Sequence, residues 1–111
     1  MVKSQAGKNL LDNVFHVLSD PTRRDILERL THEPLTVTQI KNPYKMSLVA
    51  ISKHLKVLEH AKLIRRQKMG REYVIRLHPQ PLKDAYQYVE GFKKDWKRHL
   101  DALEKFAERN S

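Results

Sequence analysis

Basic side chains are concentrated in one part of this sequence. Between residues 41 and 76 there are ten Lys and Arg residues but only two acidic ones, Glu59 and Glu72, so this third of the chain carries +8 of the formal net charge of +9. A surface whose charges served solvation alone would mix the two signs more evenly. Lys and Arg side chains bind phosphate oxygens, and a segregated basic face indicates a polyanionic partner.

Two helices joined by a tight turn are predicted in and just before this segment. Thr36 and Gln39 have the spacing of a capping box, which indicates that a short helix begins at residue 37. Pro43 ends this helix, because the residue before a proline disfavours helical geometry. Ser47 is a predicted N-cap for a longer helix that reaches residue 61. The arrangement is a helix-turn-helix, a motif whose second helix fits the major groove of DNA.

The longer helix, residues 47–61, is predicted to have an apolar side and a polar side. Spacings of three and four residues place one stripe toward the core: Leu48, Ile51, Leu55 and Leu58. A rotation of about 100° per residue places a second set on the opposite side: Val49, Ser52, Lys53, Lys56 and His60. This second side is the one predicted to meet a ligand.

The polar side offers contacts to both bases and phosphates. Lys53 and Lys56 can donate to guanine or to phosphate, whereas Val49 and Ala50 suit the methyl group of thymine. His54 flanks the buried stripe, so a structural hydrogen bond is an alternative to a base contact for this residue. The predicted DNA-binding set on this helix and the turn before it is Lys45, Ser47, Val49, Ala50, Ser52, Lys53, His54 and Lys56.

A β-hairpin is predicted directly after this helix. Residues 63–67 and 72–77 favour strands, and Gly70 in the intervening turn, residues 68–71, can take a positive φ. Alternation points three side chains inward: Tyr73, Ile75 and Leu77. Four basic residues remain for flanking phosphates or the minor groove: Arg65, Arg66, Lys68 and Arg71. We expect this hairpin, the wing of residues 63–77, to add affinity more than sequence specificity.

Helices are also predicted on both sides of the basic segment. Apolar spacing indicates a first helix over about residues 8–19, and Asp20 is the predicted N-cap of a second helix that starts at Pro21 and ends before Pro34. From about residue 81 to residue 108 the chain is predicted to form one long helix. Its apolar stripe is longer than a small domain can cover.

This uncovered stripe predicts a homodimer in which the first and last helices are the dimerisation elements. Gly91, in the middle of the predicted last helix, indicates either a close helix approach or a hinge. The predicted interface is Leu11, Val14, Phe15, Val89, Phe92, Trp96, Leu100 and Leu103.

Composition excludes several functional classes. The sequence contains no Cys, so thiolate metal sites and disulfides are impossible, and a metal site built on His16 and His99 is disfavoured because zinc needs three or four converging ligands. No catalytic constellation can be identified, so no enzyme activity and no cofactor are expected. The apolar runs are too short for a membrane span. We expect one cytoplasmic domain over residues 1–111 and no membrane partner.

Several sequence runs resemble the ArsR-type winged-helix repressors of prokaryotes. These runs are DPTRR at 20–24, S-x-x-x-I-S-K-H-L-K-V-L-E at 47–59, LIRR at 63–66 and GREYVIRL at 70–77. The resemblance implies a homodimeric transcriptional regulator, usually a repressor released by a signal, whose first and last helices form the dimer interface. It places the base-contacting helix at Ser47–Leu58 and the wing at Arg65–Arg76.

Two departures from the family pattern qualify the resemblance. Lys62 stands where the family often has Gly, so Lys62 is expected to take a left-handed conformation. Many members sense metals through cysteines or through paired ligands on the last helix, but here that helix carries only one histidine, His99. The chain therefore resembles the branch without metal ligands, and its inducer is unknown.

The resulting prediction is a mainly α fold with a small β-hairpin wing, a winged helix-turn-helix. Its predicted function is sequence-specific binding of double-stranded DNA at an inverted repeat with half-sites about 34 Å apart. Two alternatives stay open: a basic module that binds nucleic acid without sequence preference, and a protein-interaction module that uses the long C-terminal helix.

Overall fold

Six helices and one three-stranded sheet form the described part of the chain. The structure, a computed structural model, describes residues 2–110 and the side chains of residues 10–93 and 95–110; the ends of the predicted domain, residues 1 and 111, lie outside this range. The elements in chain order are α1 (Val2–Leu18), α2 (Pro21–His32), β1 (Leu35–Thr36), α3 (Val37–Lys41), α4 (Leu48–His60), β2 (Ile64–Met69), β3 (Glu72–Leu77), α5 (Gln80–Glu90) and α6 (Lys93–Arg109).

Local capping signals define where the helices begin. The Asp20 carboxylate accepts the backbone N–H of Arg23 at 3.0 Å at the start of α2. At α3 both hydrogen bonds of the capping box between Thr36 and Gln39 are present. The Ser47 hydroxyl accepts the N–H of Ala50 at 3.1 Å at the start of α4. These predicted helix starts are confirmed, whereas α1 begins at residue 2 and not near residue 8.

The sheet has one more strand than predicted. Its order is β1-β3-β2, with all neighbours antiparallel, and Leu35 of β1 lies opposite Ile75 of β3. The predicted hairpin of β2 and β3 is confirmed. β1 was not predicted, because a two-residue strand leaves no readable alternation in sequence. The loop between β2 and β3 is two residues and not four, and Gly70 in it has φ +66°. Tyr73 was predicted to face inward, but it is 42 % exposed.

The core lies where α1, α2, α3 and α4 meet one face of the sheet. Its largest fully buried side chains are Val14, Val17, Ile26, Ile40, Ile51, Leu55, Leu58, Leu63 and Ile75. Three of the four residues of the predicted α4 stripe are buried, but Leu48 is 53 % exposed. Leu48 lies in the first turn of α4, where the helix extends beyond the core. The buried stripe therefore turns the opposite, polar side of α4 toward solvent.

The C-terminal segment is two helices and not the single helix predicted over residues 81–108. α5 ends at Glu90 and α6 begins at Lys93, with Gly91 and Phe92 between them. The N–H of Phe92 donates to the carbonyl of Val89 at 3.0 Å, which is one residue short of the α-helical spacing. The chain therefore tightens its turn at Gly91, the residue that the sequence marked as a hinge or a close approach.

Candidate nucleic-acid interface

The first turns of α4 lie at the surface of the molecule. Val49 is 65 % exposed, and Lys53 and Lys56 further along the same side are exposed. Ser52 is half-buried at the edge of this side, and Ala50 is half-buried near the core. We call the side of α4 that carries Val49, Lys53 and Lys56 the basic face of α4. No acidic residue of α4 belongs to this face, since Glu59 is directed toward the wing.

The turn between α3 and α4 is fixed by two residues of α2. Arg29 donates from Nη1 to the carbonyl of Ile40 at 2.9 Å and from Nη2 to that of Gln39 at 2.7 Å. Its guanidinium also lies 5.5 Å from the ring centroid of Tyr44. The Tyr44 hydroxyl donates to the Asp25 carboxylate. These contacts hold the end of α3 and the turn before α4 against α2.

The cluster around Tyr44 could not be predicted from the sequence, because its members are up to 19 residues apart. Partial burial, together with the hydrogen bond to Asp25, raises the pKa of Tyr44. The hydroxyl therefore stays protonated and remains a donor to the carboxylate. An Arg or Asp on the polar side of a predicted helix is usually solvated, so its residue type does not indicate a contact with a distant Tyr.

His54 lies between the basic face of α4 and the core. It is half-buried, with Nδ1 3.4 Å from Nη1 of Arg23 and 3.9 Å from the Asp20 carboxylate. Arg23 and Asp20 are thus structural partners of His54, which favours the structural role that the sequence left open beside a base contact. Partial burial alone would raise the pKa of Asp20, but the backbone N–H and guanidinium of Arg23 and the ring of His54 outweigh it and lower that pKa.

The wing is a two-stranded extension beside the end of α4. Arg66 contacts Glu59 of α4 at 3.3 Å and lies over the ring of Tyr73, with 5.6 Å between guanidinium carbon and ring centroid. Arg65, Lys68 and Arg71 are exposed and form no ion pair with any described residue. Of the four predicted wing contacts, Arg66 is therefore used to attach the wing to α4, and the other three face solvent.

A second surface, formed by α1, α5 and α6, is apolar. Phe15, Tyr88 and Phe92 stack edge to face, with ring centroids 6.5 Å and 5.2 Å apart. Five of the predicted interface residues of α5, α6 and the segment between them are exposed: Val89, Phe92, Trp96, Leu100 and Leu103. An open groove of about 870 Å³ runs beside Leu11 and Phe15. Val14 is 1 % exposed and belongs to the hydrophobic core of the chain, not to this surface.

Neither a metal cluster nor a membrane span is found in the described part of the chain. No three His, Asp or Glu side chains among the described residues converge on one point. None of the described helices is both long and apolar enough to cross a bilayer.

Comparison with known proteins places the chain in a family. Residues 18–67 match the family model described as a helix-turn-helix domain. The chain is 41 % identical over 89 residues to HTH-type transcriptional regulator Rv2034 of Mycobacterium tuberculosis, with 80 % of each chain covered. It is 33 % identical over 82 residues to the transcriptional repressor SdpR of Bacillus subtilis, with 74 % of this chain and 91 % of that protein covered.

Solved structures give the same family and the same fold. An ArsR-like transcriptional regulator from Rhodococcus superposes with a TM-score of 0.72 at 31 % identity, and the match covers 90 % of this chain and 94 % of that chain. Another ArsR family transcriptional regulator reaches a TM-score of 0.76 at 31 % identity, with 81 % of this chain and 93 % of that chain covered. The chain therefore belongs to the ArsR-type family of winged helix-turn-helix regulators and is a DNA-binding transcriptional regulator.

Proposed function

We propose that this chain acts as a homodimeric repressor that occupies an imperfect inverted repeat in double-stranded DNA. The observation that carries the proposal is the position of the exposed basic residues. The basic face of α4 and the three solvent-facing residues of the wing, Arg65, Lys68 and Arg71, belong to consecutive elements of one chain. A helix with this face can enter a major groove while the adjacent wing follows the flanking phosphates.

Within this proposal, α4 reads the sequence and its first turn binds the backbone. Val49 can contact a thymine methyl, and Lys53 and Lys56 can donate to guanine or phosphate. The N-terminal end of α4 carries the positive end of the helix dipole, which favours a phosphate beside Ser47 and Lys45. The basic face contains no Arg, Asn or Gln for bidentate base contacts. Part of the specificity is therefore expected to come from methyl contacts and DNA shape.

The apolar surface of α1, α5 and α6 supports the dimeric part of the proposal. Trp96 and Leu103 are each more than 60 % exposed on α6, and monomeric proteins rarely expose a large contiguous apolar patch. A second copy of the chain carries the same apolar surface, and a two-fold axis can place the two surfaces against each other. We take residues 1–111 as one domain, with α1, α5 and α6 as its dimerisation elements.

The charges of α6 favour an antiparallel pairing of the two copies. The first half of α6 carries Lys93, Asp95, Lys97 and Arg98 and is net basic. The second half is slightly acidic, with Asp101, Glu104, Lys105, Glu108 and Arg109. Antiparallel pairing brings the basic start of one α6 near the acidic section of the other, and parallel pairing brings like charges together. The two-fold axis of such a dimer relates the two α4 helices to each other, as the two half-sites of an inverted repeat require.

Repression would follow from the position of the bound dimer on a promoter. A dimer bound across two successive major grooves covers the DNA that a polymerase would need, so occupancy of a promoter blocks transcription. The relative from Bacillus subtilis, 33 % identical, is named a transcriptional repressor.

The experiment that tests the proposal is a binding selection from random duplex DNA at near-physiological salt. We expect enrichment of an inverted repeat with half-site centres one helical turn apart. Binding without enrichment would instead identify a non-specific nucleic-acid module, with the same steep salt dependence on every duplex. Absence of binding together with a mixed complex containing another protein would favour the protein-interaction alternative.

A further inference from the structure

Arg23 is the one buried charged residue among the described side chains, with 8 % exposure. It lies in the first turn of α2, but its side chain is directed to α1. Nε donates to the carbonyl of Val17 at 3.1 Å, and Nη2 donates to the carbonyl of His16 at 3.0 Å. These carbonyls are at the C-terminal end of α1, where the helix dipole favours a positive charge. Two donors of the guanidinium are therefore committed to the end of α1.

The remaining guanidinium nitrogen connects Arg23 to α4. Nη1 lies 3.4 Å from Nδ1 of His54. Because a guanidinium can only donate, a hydrogen bond across this contact requires Nδ1 to be the acceptor and to carry no hydrogen. The Asp20 carboxylate, 3.9 Å from the same nitrogen, is too far away to accept a hydrogen bond from it. In the neutral ring the hydrogen then resides on Nε2. One side chain thus joins the end of α1 to the middle of α4 and selects one tautomer of His54.

We propose that Arg23 is a positioning residue for DNA binding: by holding His54 through Nδ1, it fixes the rotation of α4 about its own axis relative to α1. Lys53 precedes His54 directly, and Lys56 follows two residues later. A rotation that broke the contact between Arg23 and His54 would therefore move both lysines of the basic face with it. The DNA-binding part of this inference rests on the proposed function, whereas the tautomer of His54 does not.

Two substitutions of His54 separate positioning from direct DNA contact. In His54→Asn the amide oxygen takes the place of Nδ1 and can still accept from Arg23, whereas the Nε2–H is lost. In His54→Leu both functions are lost. We expect His54→Leu to weaken binding to the selected operator on the order of tenfold, the loss associated with one hydrogen bond from a charged donor. His54→Asn is expected to stay within about threefold of the wild type.

Each outcome of this experiment supports or overturns the inference. Equal weakening by His54→Asn and His54→Leu would overturn it, because the Nε2–H would then be the group that matters. Unchanged binding by His54→Leu would overturn it as well. His32→Leu removes an exposed histidine at the end of α2 and serves as the matched control. Where His54→Leu fails to fold, Arg23→Lys gives the second test: operator affinity equal to that of the wild type overturns the inference.

Nuclear magnetic resonance of the DNA-free protein tests the contact separately. Long-range proton–nitrogen spectra of ring-labelled protein are expected to show His54 with its hydrogen on Nε2. A hydrogen on Nδ1 would overturn the inference whether or not the protein binds DNA. If the hydrogen of His54 is on Nε2 but the selection enriches no operator, the proposed function is wrong and the contact between Arg23 and His54 still stands.

Discussion

Asp20 and Arg23 stabilise the start of α2 through complementary roles. The Asp20 carboxylate accepts the backbone N–H of Arg23, and the Arg23 guanidinium binds the end of the preceding helix. The run DPTRR could be assigned as an N-cap followed by proline from sequence alone, because both signals are local. The inward direction of the Arg23 side chain could not be predicted from the sequence. The positions of its acceptor carbonyls depend on the angle between α1 and α2.

The lowered pKa of Asp20 predicts a pH dependence of stability. A carboxyl whose pKa is lower in the folded protein contributes stability above its unfolded pKa, and this contribution is lost as the pH falls from about 4 through the lowered value. Asp20→Asn keeps a capping side chain but removes the charge, so it is expected to reduce the loss of stability between pH 5 and pH 2. Urea unfolding at a series of pH values measures this.

The matched control for Asp20→Asn is Glu33→Gln, which removes one exposed negative charge at the other end of α2. We expect this control to keep the pH dependence of the wild type. Equal slopes for wild type and Asp20→Asn over the same pH range would contradict the assignment of Asp20 as the responsible carboxyl.

At the scale of single elements, prediction from sequence succeeded where the signal was local. The caps at Asp20, Thr36 and Ser47 each depend on residues within one turn of the chain, and the structure confirms them. The left-handed conformation of Lys62, expected from the family resemblance, is confirmed as well. β1 could not be predicted, because a strand of two residues exists only through its pairing with β3.

Lys62 offers a direct test of backbone strain at an element boundary. Its φ of +62° lies in the left-handed region, which costs a non-glycine residue about 1 kcal/mol relative to glycine. Lys62→Gly is therefore expected to raise the free energy of unfolding by up to about 1 kcal/mol, with an unchanged dependence on urea. Lys83→Gly, at an exposed position of α5, is the control and should lower the free energy of unfolding by about the same amount.

For α4, removal of the two lysines of the basic face tests the DNA-binding prediction. Lys53→Ala combined with Lys56→Ala is expected to abolish specific binding and to leave the dimer intact, because both side chains are exposed and contribute nothing to the core. Fluorescence anisotropy with the selected operator and sedimentation equilibrium measure the two properties. A loss of dimerisation in this variant would mean that α4 has a different role.

For the molecule as a whole, the composition of the sequence predicted two different surfaces, one basic and one apolar. The surplus of charge between residues 41 and 76 predicted the basic face, and the apolar spacing after residue 81 predicted a surface that one copy cannot cover. Val14 shows the limit of this reasoning. Its helical spacing is the same as that of Leu11 and Phe15, yet it lies in the core, because only the packed structure decides which side of an amphipathic helix faces its own chain.

The oligomeric state can be tested on the second surface. Trp96→Ala removes a large apolar side chain that is 63 % exposed, so it is expected to weaken the homodimer without lowering the stability of the protomer. Sedimentation equilibrium over a range of concentrations measures the dissociation constant. Lys105→Ala, on the polar side of α6, is the control. An unchanged dissociation constant for Trp96→Ala would remove α6 from the interface.

The break at Gly91 and Phe92 also has a consequence for the spacer of the operator. In the proposed dimer, α6 serves only the interface, whereas α5 also packs against α1 of the body that carries α4. The angle between α5 and α6 therefore sets the distance between the two α4 helices. One base pair of spacer moves a half-site by about 3.4 Å along the duplex and about 35° around it. A small change in this angle would therefore select a different spacer length while leaving the half-site sequence unchanged. Two regulators with identical basic faces could in this way control separate sets of promoters.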